Sequence, residues 1–344
     1  MRSRASPFSA SRARRQSSSI SGRVLVRRAI DSCLAQDFVS FEVIVVDDGS
    51  SDGTVDTVAQ YNDPRVRLLE HPTNRGMWTA RKSAIRASRG EWVIFLDSDD
   101  EMLPGCLACI HQQVTEAGNG VDRFGFQYIY DEGWVSPLPP EQIFGYAQWL
   151  RWIDQTPVTD ALWVMRRQCF IQRPLPETFD PDLSYGLEFA KHFKTRMVPM
   201  IVAAVHTDCP NRLSYMIPEA GLEMVKRKAR DRATEWQYVL TEHGDALRRL
   251  APRQYEAVLR NAAISDLLIG NRGRALQTSL AVLRFHPASL ATWVTLGLVL
   301  SGPWAAILFS RVRSKRVRRS KRRGASSVNR DFHSQPAVCT SLVR

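Results

Sequence analysis

Two apolar runs in the first hundred residues each finish in carboxylates. Phe41-Glu42-Val43-Ile44-Val45-Val46 leads into Asp47-Asp48, and Trp92-Val93-Ile94-Phe95-Leu96 leads into Asp97-Ser98-Asp99-Asp100. Short runs of β-branched, aromatic and aliphatic residues bounded by polar ones predict strands buried on both faces. Between them lie patterns of helical period, and strands alternating with short helices predict a parallel sheet in a layered α/β fold. The strand ends of a parallel sheet share one edge, which is where open α/β sheets bind ligands. Carboxylates crowded there repel one another unless a cation lies among them, and hard oxygen donors suit Mg²⁺ or Mn²⁺. The plainer reading of either cluster is a solvated turn that caps the next helix.

Order is expected to begin near Val24, with a helix over 24–36 on the spacing of Val26, Ala29, Ile30, Cys33 and Leu34. Asp47–Thr54 is a Gly-containing turn that ends in helix-capping residues. A helix near 54–61, a strand at 66–69, a loop over 71–76 and a helix from Met77 to Ser88 complete the alternation. Beyond Asp100 the pattern predicts a helix to about Glu116 and strands at 124–130 and 161–167. Residues 219–285 are helical in period and form a helical appendage. Residues 287–310 contain no charged residue.

The formal charge of +12 would suggest nucleic acid or an anionic membrane as a partner, but it is unevenly placed. Residues 1–30 hold eight arginines and no acid, and residues 311–323 hold nine Lys or Arg and no acid. The remaining body is mildly acidic, which argues against a nucleic-acid-binding body. Residues 1–23 and 311–344 read as basic disordered tails. The uncharged stretch at 287–310 predicts membrane association, either as a single C-terminal span or as short helices lying in the interface beside anionic lipid. Six cysteines and the lack of an apolar leader fit free thiols. Cys106 and Cys109 lack a second pair for zinc and read as packing residues.

A set of motifs in order carries a resemblance. Val45-Val46-Asp47-Asp48-Gly49-Ser50-Ser51-Asp52-Gly53-Thr54 is followed by Asn74-Arg75-Gly76 and Ala80-Arg81. Gly90-Glu91 and Phe95-Leu96-Asp97-Ser98-Asp99-Asp100 come next. Together they resemble the family 2 glycosyltransferases of the GT-A fold, over about residues 24–215. The resemblance implies an α/β GT-A domain over 24–218, with a mostly parallel sheet flanked by helices and followed by the helical region of 219–310. It also implies a nucleotide-sugar donor, a sugar or lipid-linked acceptor, Mg²⁺ or Mn²⁺, and inversion at the anomeric carbon.

By that resemblance Asp48 contacts the nucleoside, Asp97 and Asp99 form the metal-binding D-x-D pair, and Arg81 lies on the nucleotide side. His206 and Arg212 contact the donor phosphates. Glu188 stands where the family has the Asp that deprotonates the acceptor, with Asp180 and Asp182 as alternatives. A carboxylate of either length can take that proton if the geometry allows. Two departures are visible. Leu187-Glu188 replaces the family's Glu-Asp, and Pro7–Ile20, rich in Ser and Arg, does not read as the family's first, central strand. The implied function is sugar transfer at the cytoplasmic membrane face. The alternative is an impaired remnant that only binds membrane or partners.

Overall fold

The computed structural model describes residues 8–14, 21–131, 133–138, 142–156, 161–176, 179, 183–206 and 222–307. Among them nine strands make one sheet. Its first half is the expected parallel alternation. β1 (Phe8–Arg14) lies between β2 (Phe41–Asp48) and β4 (Trp92–Phe95), and β3 (Val66–His71) flanks β2 on the other side. Every residue of β2 and β4 is buried, which accounts for their near-continuous apolar composition.

The expectation that residues 7–20 cannot supply the first strand, and belong to a disordered tail, is corrected for Phe8–Arg14. Phe8–Arg14 pairs in parallel register with both neighbours, Phe8 opposite Phe41 and Trp92, and Arg14 opposite Asp47. The physical reason lies in those neighbours. Two fully buried strands with a gap between them would leave rows of N–H and C=O groups unpaired, at about 1–3 kcal/mol per buried group. A penalty repeated along the strand outweighs a propensity scale that spans only about 1 kcal/mol. The backbone of almost any segment without proline can fill such a slot, and no proline occurs between Phe8 and Arg14.

The second half of the sheet is mixed. β8 (Leu162–Arg166) runs antiparallel to β4 and to β6 (Arg123–Tyr130), and β9 (Thr195–Val205) runs parallel to β6. β5 (Asp100–Met102) and β7 (Gln142–Phe144) pair antiparallel with β9. Helices α1 (Ser21–Leu34) and α4 (Cys106–Ala117) cover one face, where Val26, Ile30, Leu107 and Ile110 meet Val43, Val45 and Ile94. The cysteines of α4 pack there as expected, Cys106 buried and Cys109 partly buried against the same core. On the other face Ala80 and Ala84 of α3 (Met77–Ala87) meet Ile44 and Val46. The short α2 (Thr54–Ala59) follows the β2 turn, and α6 (Arg167–Gln172) follows β8.

The helical region is joined to the sheet by a shared core. Leu150 of α5 (Tyr146–Gln155), Leu187 of α7 (Leu183–His192) and Met197 pack with Val239 and Leu247 of α8 (Leu222–Leu250) and Val258 of α9 (Pro252–Leu268). Two further helices, α10 (Arg272–Phe285) and α11 (Leu290–Ser301), complete the described chain. Among the described residues no helix is long and apolar enough to cross a membrane.

Candidate active site at the acidic strand tips

The tips of β2 and β4 lie on one sheet edge, as the sequence predicts, but their carboxylates do different work. Asp48 is fully buried. Its Oδ1 lies 2.8 Å from His71 Nδ1 and accepts from the Arg75 N–H at 2.9 Å, and its Oδ2 accepts from the Gly76 N–H at 2.7 Å. His71 reaches on to the Ser83 hydroxyl of α3 at 2.9 Å. Gly49 presses the turn against this loop: at φ 74°, an added Cβ would lie 2.8 Å from the Asn74 nitrogen. Asp48 therefore clamps Asn74-Arg75-Gly76 to the β2 tip. Asp47 is also buried. Its Oδ2 accepts from the Ser50 N–H at 2.8 Å, while Oδ1 has no hydrogen-bond partner among the described residues.

The β4 tip is open. The Asp97 side chain is 53% exposed, and its Oδ1 accepts from Arg81 Nη2 at 3.1 Å. The Arg81 guanidinium stacks over the rings of Trp78, at 4.8 Å, and Phe95, at 5.1 Å, so its charge is aimed at the tip by two aromatic faces. The backbone carbonyl of Asp99 accepts from Arg28 Nη2 of α1 at 2.7 Å, which anchors the acidic turn. Asp100 opens β5 and stands opposite Val205, so His206 follows β9 beside the same turn. There His206 Nε2 lies 3.1 Å from Glu101 and Nδ1 lies 2.9 Å from Asp131. The structure thus brings Asp97, Asp99, Arg81 and His206 to one edge. Arg212, Asp180 and Asp182 fall outside the described residues.

No group of three or more His, Cys, Asp or Glu residues that could hold a metal occurs among the described residues. Asp97 and Asp99 nevertheless fit a Mg²⁺-type ion, which commonly takes one or two carboxylates and completes its shell with substrate phosphates and water. An exposed carboxylate on a turn leaves room for those other ligands.

Glu188 of α7 lies within a cluster that the sequence reading missed. Its Oε1 is 3.1 Å from Nε2 of His243, a side chain buried on α8, and its Oε2 is 3.3 Å from Nε2 of His192. The Tyr146 hydroxyl is 2.6 Å from His243 Nδ1, and the Tyr238 hydroxyl bonds to the Glu188 carboxylate. Burial, reinforced by the bond to Glu188, pushes Tyr238 up to about 12, and burial with the Glu188 charge pushes Tyr146 up to about 12. Both phenols therefore remain donors at neutral pH. Burial holds His243 below the ordinary histidine value, against the opposing pull of Glu188. One helical turn before Glu188, the Ser184 N–H and hydroxyl both donate to the buried Glu235 of α8, fixing the start of α7. No local signal marks His243 or Tyr238 as partners of Glu188, because they lie at least fifty residues further along the chain. Arg28 falls within the helix expected from the sequence but carries no motif of its own.

A mixed sheet flanked by helices, with acidic strand tips on one edge and a helical region after it, defines a GT-A type nucleotide-sugar transferase fold. Residues 23–172 match the family model described as Glycosyl transferase family 2. Similar proteins include the succinoglycan biosynthesis protein ExoO of Rhizobium meliloti, 48% identical over 91 residues, or 26% of each chain. The GalNAc(5)-diNAcBac-PP-undecaprenol beta-1,3-glucosyltransferase of Campylobacter jejuni is 38% identical over 117 residues, 33% of this chain and 37% of that one. The match thus spans well under half the length of these relatives. Among solved structures, S. aureus TarS 1-349 in complex with UDP-GlcNAc superposes with a TM-score of 0.52 at 17% identity, covering 85% of this chain and 90% of that one. This likeness supports the fold.

Proposed function

We propose that the chain transfers a sugar, with inversion, from a nucleotide-diphosphate donor to an acceptor hydroxyl, the acceptor being lipid-linked and the reaction taking place at the cytoplasmic face of a membrane. The observation that carries this reading is the β4 tip: the exposed Asp97, with half-buried Asp99 two residues on, beside an arginine held by two aromatic rings and a histidine, on the edge where such sheets bind ligands. Mg²⁺ or Mn²⁺ would be held by Asp97 and Asp99, and when bound it supplies charge stabilisation for the departing diphosphate. Arg81 adds positive charge on the same edge, and His206 and Arg212 are assigned to the donor phosphates. Arg28 keeps the turn in shape through the Asp99 carbonyl. The buried Oδ1 of Asp47, rather than the engaged Asp48, is the acceptor left on the β2 side for a donor group of the nucleoside.

Glu188 takes the acceptor proton in this scheme. Its carboxylate is oriented by Tyr238, His192 and His243, so the helical region holds the base in place. The lipid-linked acceptor is suggested by the undecaprenol-linked substrate in the name of the Campylobacter relative. A catalytically impaired remnant is the competing reading. The presence of β1 removes one of its two grounds, and the Leu187-Glu188 exchange is the other.

Calorimetry with UDP and GDP, each with and without Mn²⁺, tests the proposal. Metal-dependent heat with one of the two nucleotides is expected, and its loss in Asp99→Ala with an unchanged fold. Heat that is absent throughout, or unaffected by the substitution, would favour the remnant.

A further inference from the structure

Helix α11 is turned the wrong way round for a helix of a water-soluble surface. Besides the terminal Ser301, the residues it exposes are Leu290, Trp293, Gly297 and Leu300, spaced as i, i+3, i+7 and i+10, which is one stripe of a helix. Leu290 is 78% exposed, Trp293 52% and Leu300 69%, and Trp304, just past the helix, is 71% exposed. The face it buries carries Thr292, Thr295 and Val299. Hydroxyls point inward while leucine and tryptophan point to solvent.

A polar lock enforces this orientation. Buried Glu256 of α9 accepts from the Ser289 hydroxyl at 2.7 Å and from the Thr292 hydroxyl at 3.4 Å, and its other oxygen lies 2.7 Å from His286 Nδ1. Rolling α11 over to bury its leucines would strip the Ser289 and Thr292 hydroxyls from a buried carboxylate, a cost that opposes the gain from burying the leucines. The Trp293 indole N–H already donates to the Pro287 carbonyl at 2.8 Å. Its ring can therefore enter an apolar phase without stranding an unpaired donor.

The geometry points to the Leu290–Trp293–Leu300 stripe, with Trp304, as a docking edge for an anionic lipid bilayer, with α11 lying in the interface plane. This deepens the membrane location proposed above without resting on the transfer chemistry. A twelve-residue helix reaches only about 18 Å, against a hydrocarbon core of about 30 Å. It therefore cannot span but can lie flat. Charge selects the occupant. No charged residue lies between Pro287 and Ser310, and nine Lys or Arg follow within residues 311–323. Leucine and tryptophan beside such a basic run suit an interfacial anchor on anionic headgroups. A second copy of the chain on the same edge would bring two of these basic blocks together, which like-charge repulsion opposes.

Co-sedimentation of the full chain with lipid vesicles tests the assignment. Phosphatidylcholine vesicles are compared with vesicles in which phosphatidylglycerol is mixed in. The chain is expected to bind the anionic vesicles, more weakly as salt rises but not to zero. The double variant Leu290→Glu, Leu300→Glu changes two exposed positions and should bind about a hundredfold more weakly, with an unchanged circular dichroism spectrum. Brominated acyl chains should quench tryptophan emission in the native chain, and less so in a Trp304→Ser variant. Wild-type binding by the double variant would overturn the assignment, as would failure of the native chain to bind either vesicle. A concentration-dependent dimer that the double variant dissociates would give the edge to a second copy instead. Vesicle binding without metal-dependent nucleotide heat would leave this edge standing and sink the transferase reading, and the reverse result would do the opposite.

Discussion

The tips of β2 and β4 are written in nearly the same letters, an apolar run followed by crowded aspartates, yet one is closed and the other open. At the β2 tip Asp48 is sealed from water and grips a histidine and two backbone N–H groups. At the β4 tip Asp97 is half exposed and touches one arginine that is itself held by two rings. What separates them is the chain that follows each strand. After β2 a tight turn at Gly49 brings the tip against the loop that ends β3. After β4 the chain leaves at once for β5, which pairs with distant β9, and Asp97 stays half exposed among the described residues. A carboxylate motif is thus a supporting post or a working group according to what the following residues lay across it.

The contrast can be broken most sharply at Asp48. Asp48→Ala should cost about 3–5 kcal/mol in urea unfolding, because His71 and two backbone donors lose a buried acceptor. A loss below about 1 kcal/mol would erase the distinction between the tips. Gly49→Ala should cost about 1–3 kcal/mol, from a left-handed backbone that disfavours a side chain and from the 2.8 Å approach to Asn74. Its thermal midpoint should fall accordingly. Asp97→Asn should move stability by no more than about 0.5 kcal/mol, as an exposed position does. A large drop in its unfolding free energy would mean that the β4 tip, too, is structural.

Much of this architecture is readable from the chain. β2 and β4 are legible because burial on both faces demands apolar letters, and α1, α3 and α4 because their buried residues recur at helical spacing. β1 is not, since its sequence carries no apolar run and its place follows from the unpaired edges of its two neighbours. The site is legible in part. Asp97, Asp99, Arg81 and His206 lie along one sheet edge, but nothing in Asp47-Asp48 tells which carboxylate has both oxygens engaged. That follows from where the 73–76 loop is laid. The partners of Glu188 are invisible for a similar reason: His243 and Tyr238 reach it through the packing of α8 on α7, and sequence separation hides it.

The way β1 sits in the sheet carries a last consequence. It joins the two strands that bear the acidic tips, so the spacing between those tips is carried through its main chain. A break in that one backbone would therefore be felt at both carboxylate clusters at once.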